Sequence, residues 1–174
     1  IAGGGGSRMG GARPKQFMLL GGIPILARTI NNFAAALPGA EIVVVLPAEH
    51  TGFWHNLSAR FEVAPHTVAE GGRERFHSVK NGLAALKRDP ELIAVQDVQT
   101  PQVFRAELLR RAYETEYRPE FTDDASVVEL SGEAVFLCEG ERANLKITTP
   151  EDTVIAEALL ADREETHETD GENI

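Results

Sequence analysis

The chain has 174 residues, 17 Lys+Arg against 27 Asp+Glu and a formal net charge of −10. At roughly 100–200 residues per domain this is one compact core or one plus a small appendage, and 43% hydrophobic with 25% charged residues excludes collagen-like, disordered and disulfide-stapled classes. No run reaches the ~18 apolar residues of a membrane span, the lone Cys138 forms no internal disulfide, and the acidic balance speaks against a nucleic-acid partner; with no secretory apolar region after Ile1, a cytoplasmic address is expected.

The charge is unevenly spread. Residues 1–40 contain no acid, while Arg8, Arg13, Lys15 and Arg28 make that segment cationic. Eight of the sixteen glycines lie in the first 22 residues, at Gly3, Gly4, Gly5, Gly6, Gly10, Gly11, Gly21 and Gly22. Such a loop lets backbone N–H groups converge on an anion, with Arg8 and Lys15 in reach of the same group. It matches neither a P-loop, which needs Gly-Lys-Ser/Thr after its glycines, nor a dinucleotide G-x-G-x-x-G, which would need glycine at Met9. A glycine-rich segment whose basic residues merely meet solvent is the alternative.

In chain order, residues 17–20 predict a short strand and Gly21-Gly22 a turn. Pro24 is expected at the first position of a helix presenting Leu26, Ile30, Phe33 and Leu37 on one face. The apolar run Ile42 to Leu46 predicts a buried parallel strand. A helix is expected near 50–61 and a short strand from Thr67 to Ala69, ending at Gly71-Gly72. Phe76, Val79, Leu83 and Leu86 recur at helical spacing, and Leu92 to Val95 predicts another strand. A helix near 105–117 follows, then one beginning at Asp123, then strands near 134–138 and 144–148. Cys138 in the former reads as core. Thr149, Pro150 and Asp152 sign the start of the last helix with a capping-box-like spacing. Alternating strands and helices predict an α/β domain with a mostly parallel central sheet and flanking helices over residues 1–161. Residues 162–174, with six acids against Arg163, are expected to be a solvated, fraying tail.

Other candidate sites carry two readings each. Arg73 and Arg75 open a helix after Gly71-Gly72, where cations oppose the helix dipole, so each calls for a ligand or an ion-pair partner. Gln99-Thr100-Pro101-Gln102 reads as a substrate-side turn or a cap, and Thr122-Asp123-Asp124-Ala125-Ser126 as a helix N-terminus. Lys146 sits in a strand pattern, where facing solvent is the plain reading. The five histidines show no metal-ligand spacing.

The order GGGGSRMG…PKQF, GGRERFHSV, QTPQVF, TDDAS and NLKITTPED resembles the 2-C-methyl-D-erythritol 4-phosphate cytidylyltransferases of the non-mevalonate isoprenoid pathway, over most of the chain from Ala2 to Asp152. The resemblance implies a nucleotidyltransferase (Rossmann-like) fold, CTP and a polyol phosphate, methylerythritol phosphate, as substrates, a magnesium ion, and a homodimer. It assigns the triphosphate to Gly3, Gly4, Gly5 and Gly6, and makes Arg8 and Lys15 the catalytic cations at the α-phosphate. Ala2, Gly72 and Ser78 match positions lining the cytosine pocket, with Arg75 beside it. Thr122 and Lys146 match the methylerythritol phosphate side.

The chain also departs from the family. Members open with a hydrophobic strand leading into the glycine loop, whereas this chain opens at Ile1-Ala2. Between Val95 and Gln96 they carry several dozen further residues, among them a His-Asp-x-x-Arg-Pro stretch and a projecting β-arm. A break is therefore expected there, and the family's metal-linked aspartate matches no residue of this sequence. Ribitol 5-phosphate cytidylyltransferase resembles the pattern nearly as well; a purine nucleotidyltransferase and a non-catalytic nucleotide-binding module complete the alternatives.

Overall fold

The computed structural model describes residues 1–3, 14–96, 101–140, 144, 145, 147 and 149–171, and of residues 150 and 163–171 the backbone alone. A 3-10 turn at Lys15–Phe17 leads into the hairpin β1 (Leu19–Leu20) and β2 (Ile23–Pro24), followed by α1 (Ile25–Ala36). Then come β3 (Val43–Leu46), α2 (Ala48–Ser58), β4 (Thr67–Glu70), α3 (Arg75–Ala84), β5 (Leu92–Val95) and β6 (Gln102–Arg105). Three helices close the order: α4 (Ala106–Ala112), α5 (Asp124–Leu130) and α6 (Pro150–Gly171).

The β1–β2 turn needs its two glycines. Gly21 and Gly22 have φ of 54° and 75°, the left-handed region that a two-residue hairpin loop requires and glycine enters freely. Pro24 stands just before α1 as its cap rather than inside it, since its fixed φ suits the entry equally well. Leu26, Ala27 and Ile30 are buried, while Leu37, beyond the last turn, is exposed. Residues 17–20 therefore split between the 3-10 turn and a two-residue strand.

β3 and β4 pair in parallel, with Val43 opposite Thr67 and Leu46 opposite Glu70. β5 and β6 pair antiparallel, Leu92 opposite Arg105. Ile1–Ala2 lies between these two ladders. The Ala2 N–H donates to Val45 O at 2.9 Å, and the Ile1 nitrogen donates to Gln96 O at 2.6 Å, one residue past β5. Side-chain alternation along β3 sorts the helices onto two faces. Val44 and Leu46 join Phe17, Leu26, Ile30 and Trp54 on one. Val45 points at α3 on the other, so closely that a Cβ on Gly82 would lie 2.9 Å from it. A second cluster gathers Phe76, Val79, Val95, Leu109, Tyr113, Val127 and Val128. Trp54 is fully buried and donates from Nε1 to His66 Nε2 at 3.0 Å, which leaves Nδ1 of that ring to donate to Ala64 O.

Two expectations are corrected. Residues 134–138 form no strand; Phe136 and Leu137 are 87% and 98% exposed, and Cys138 is exposed rather than core. The run Ala134 to Cys138 is apolar throughout, but a strand also needs a neighbour to receive its hydrogen bonds. Of 144–148, the described residues Asn144, Leu145 and Ile147 stand outside any strand. The acidic tail is helical as far as Gly171, continuing a helix whose start is signed as expected: Thr149 N–H donates to Asp152 Oδ2 at 2.8 Å and Asp152 N–H to Thr149 Oγ1 at 3.4 Å.

Candidate active site

The C-terminal ends of β3 and β4 and the adjoining Ile1–Gly3 segment form one rim of the sheet, the place where open α/β folds bind ligands. Ala2 is fixed there twice: through its N–H on Val45, and through its carbonyl, which accepts from the Gln16 side chain at 2.9 Å. Gln16 is buried in the 3-10 turn. This bond ties together the two ends of the glycine loop, which departs at Gly3 and returns at Pro14. Gly4, Gly5, Gly6 and Arg8 lie outside the described residues. Gly3 is exposed, with nothing within 4 Å of where its Cβ would stand.

Lys15 occupies the returning end, and its Nζ donates to Ile147 O at 3.2 Å. A bond spanning 132 positions thus brings the cation expected at the α-phosphate beside the segment that contains Lys146. Lys146 itself lies outside the described residues.

On the other side of β3, the Gly71 N–H donates to Leu46 O at 2.7 Å, carrying the chain over the strand end. The Gly72 N–H then donates to Ser78 Oγ at 3.0 Å, and Ser78 Oγ donates back to Glu74 O at 3.2 Å. Ser78 is buried within the first turn of α3 and folds the 71–74 loop onto it. Gly72 tolerates no side chain, since a Cβ there would stand 2.3 Å from His77 Cβ. Ala2, Gly3, Gly72 and Ser78 therefore share this rim.

Arg75 has an ion-pair partner. Its Nη2 lies 2.5 Å from Asp124 Oδ2, and the Asp124 carboxylate is wholly buried. Tyr113 OH donates to the other oxygen, Oδ1, at 2.6 Å. Burial, together with the adjacent Asp124 carboxylate, pushes the Tyr113 phenol well above its usual range. Arg73 is exposed and 3.9 Å from Glu74.

Gln99 and Thr100 of the QTPQ motif lie outside the described residues; its last residue, Gln102, opens β6 and serves as a cap, of α5 rather than of the helix at 106. Its Oε1 accepts from the N–H groups of Asp124 at 3.1 Å and Ala125 at 3.2 Å, and its Nε2 donates to Asp123 Oδ2 at 2.7 Å. Asp123 and Ser126 complete a capping box. Burial raises the Asp123 pKa, but the hydrogen bonds from Ser126 and Gln102 outweigh it and hold the carboxyl below its usual range. Thr122, exposed, immediately precedes this cap and so sits two residues from the Arg75 partner.

Asp124, Tyr113, Gln102 and Gln16 were not singled out from the sequence as a working group. The available signal was Arg75, a cation at a helix start that demanded an anion, and TDDAS, where one aspartate caps and the second is spare. Among the described residues no group of three or more His, Cys, Asp or Glu side chains could hold a metal. Both carboxylates of the Asp123–Asp124 pair are engaged by protein donors. No described helix is long and apolar enough to cross a membrane.

A profile of the 2-C-methyl-D-erythritol 4-phosphate cytidylyltransferase family matches residues 1–98 and 93–162. A protein of Bacteroides fragilis carrying that name is 40% identical over 213 aligned residues, covering 92% of this chain and 97% of the relative. An alignment of 213 positions exceeds the 174 residues here, so at least 39 positions of that relative face gaps. The two profile matches meet around the Val95–Gln96 step. The crystal structure of 2-C-methyl-D-erythritol 4-phosphate cytidylyltransferase from Thermus thermophilus superposes with a TM-score of 0.63 at 26% identity, over 91% of this chain and 95% of that one. The 4-diphosphocytidyl-2C-methyl-D-erythritol synthase of Anaerococcus prevotii reaches a TM-score of 0.70 at 21% identity, covering 84% and 93%, a likeness of fold.

Proposed function

This chain belongs to the 2-C-methyl-D-erythritol 4-phosphate cytidylyltransferase family, and we propose that the rim built by Ala2, Lys15 and Gly72 is where it works. The enzyme transfers a cytidylyl group from CTP to 2-C-methyl-D-erythritol 4-phosphate and releases pyrophosphate, a step of isoprenoid precursor synthesis. The single observation that supports this site is the Lys15–Ile147 bond, which joins the returning end of the glycine loop to the NLKITTPED motif.

On this reading Gly3, Gly4, Gly5 and Gly6 admit the triphosphate to the backbone, and Ala2, Gly72 and Ser78 shape the cytosine pocket, with Arg75 beside it. Thr122 and Lys146 receive the acceptor, Lys146 holding its phosphate. That phosphate attacks the α-phosphorus in line with the departing pyrophosphate, and negative charge gathers on the α-phosphoryl oxygens. Arg8 and Lys15 stabilise this developing charge more than the ground state, and no covalent enzyme intermediate is required. Magnesium enters as a companion of the CTP phosphates, which carry such an ion with few protein ligands. A homodimer and a cytoplasmic address complete the proposal on the strength of the family resemblance.

The test is pyrophosphate release from CTP with methylerythritol phosphate and, separately, with ribitol 5-phosphate. Faster turnover of methylerythritol phosphate is expected. Faster turnover of ribitol phosphate would reassign the acceptor, and a preference for GTP or ATP would reassign the nucleotide.

A further inference from the structure

Resting on the active-site reading above, we propose that Asp124 is a positioning residue, whose buried carboxylate holds the nucleotide side and the acceptor side of the site in one register. Its two oxygens are divided between two elements: Oδ2 meets Arg75 at the start of α3 and Oδ1 meets Tyr113 at the end of α4. Arg75 directly follows the 71–74 loop, which Ser78 folds onto the same first turn of α3. Asp124 opens α5, two residues after Thr122. Gln102 holds the backbone of this corner from β6 through the Asp124 and Ala125 N–H groups. One carboxylate, with no exposed surface, therefore links the GGRERFHS and TDDAS motifs across 49 positions, and Gln102 adds the QTPQ motif.

The arrangement has a direction. Arg75 keeps only part of its surface in solvent and commits its Nη2 to Asp124, which fixes the 71–74 loop from behind the cytosine pocket. Charge-assisted bonds to a buried acceptor are short and geometrically demanding. Stacking of Phe76 on Tyr113, with ring centroids 4.7 Å apart and planes 17° from parallel, stiffens the same joint. Small misplacements in a substrate-aligning joint cost rate steeply, about 100-fold for about 1 Å.

The test compares wild type with Asp124→Asn, Asp124→Glu and Tyr113→Phe, measuring kcat, KM for each substrate, CTP binding by calorimetry and the melting midpoint. Asp124→Asn is expected to lower kcat/KM for both substrates by about 10- to 100-fold at temperatures where the protein stays folded, and Asp124→Glu to restore part of it. Tyr113→Phe keeps the Arg75 ion pair and is expected to raise KM for CTP a few-fold; it also serves if Asp124→Asn does not fold. Unchanged kinetics for Tyr113→Phe and for every folded Asp124 variant, with only a lowered midpoint, would overturn the proposal and leave a stability role. If wild type itself turns over neither acceptor, the functional reading fails. The variants' CTP affinities then decide the clamp by themselves: weaker binding supports it and unchanged binding overturns it.

Discussion

Tyr113 donates its phenol hydrogen to Asp124 Oδ1 across 2.6 Å inside the core, and the same carboxylate receives Arg75 on its other oxygen. Deprotonating Tyr113 would set a phenolate against a carboxylate with one guanidinium to serve both. Burial and the Asp124 charge accordingly push its pKa far above the usual 10.0. The folded state thus keeps a proton that the unfolded chain gives up near pH 10. By linkage, this contribution to stability is fully present below about pH 10 and is lost as the pH rises beyond it. In an alkaline titration, the Tyr113 share of the phenolate absorbance, identified by its loss in Tyr113→Phe, is expected to appear only as helical circular dichroism disappears. If that share rises while the protein is still folded, the phenol is not protected as described.

Two glycines assigned to the nucleotide by resemblance differ sharply in their surroundings. An added methyl at Gly72 would meet the His77 backbone and Cβ, the nearest atom only 2.3 Å away, whereas one at Gly3 meets nothing within 4 Å. Gly72→Ala is expected to cost about 1–3 kcal/mol, typical of overpacking against atoms that cannot swing aside, and to weaken CTP binding as the Gly72–Ser78 bond is displaced. Gly3→Ala is expected to stay within about 0.5 kcal/mol of wild type in stability. Any effect of that change on CTP binding would then report contact with the ligand. Urea unfolding read through Trp54, the chain's single tryptophan and wholly buried, checks both; equal stability of the two variants would contradict the packing at Gly72.

The contrast shows which parts of the molecule local sequence could reveal. A continuous apolar run was enough for β3 and for β5, and helical spacing for α1 and α3, because each signal is written into its own segment. The α6 capping box was equally legible, both partners lying within four residues. Failure came wherever the decisive partner was remote. Residues 134–138 form a continuous apolar run like that of a buried strand, but no described strand pairs with them. Arg75 declared its need for an anion without naming Asp124, 49 positions away. The family resemblance assigned Lys15 and Lys146 to one site, and the contact of Lys15 with Ile147 emerged only from the fold.

Lys15 offers the sharpest separation of catalysis from binding. Its ammonium group is held at Ile147 O, 3.2 Å away, at the mouth of the glycine loop, and the proposed chemistry uses it at the α-phosphate as charge develops there. An interaction realised mainly in the transition state lowers kcat and kcat/KM together while leaving ground-state affinity nearly intact. Lys15→Ala is therefore expected to reduce kcat by about 100- to 1,000-fold, the range for losing one preorganised donor at developing charge. The Kd for CTP, read by calorimetry, is expected to change by only a few-fold. Lys15→Arg keeps the charge but replaces a compact ammonium with a planar fork, and partial recovery is expected from it. Comparable losses of turnover and CTP affinity in Lys15→Ala would make Lys15 a ground-state anchor and favour nucleotide binding over catalysis as its role.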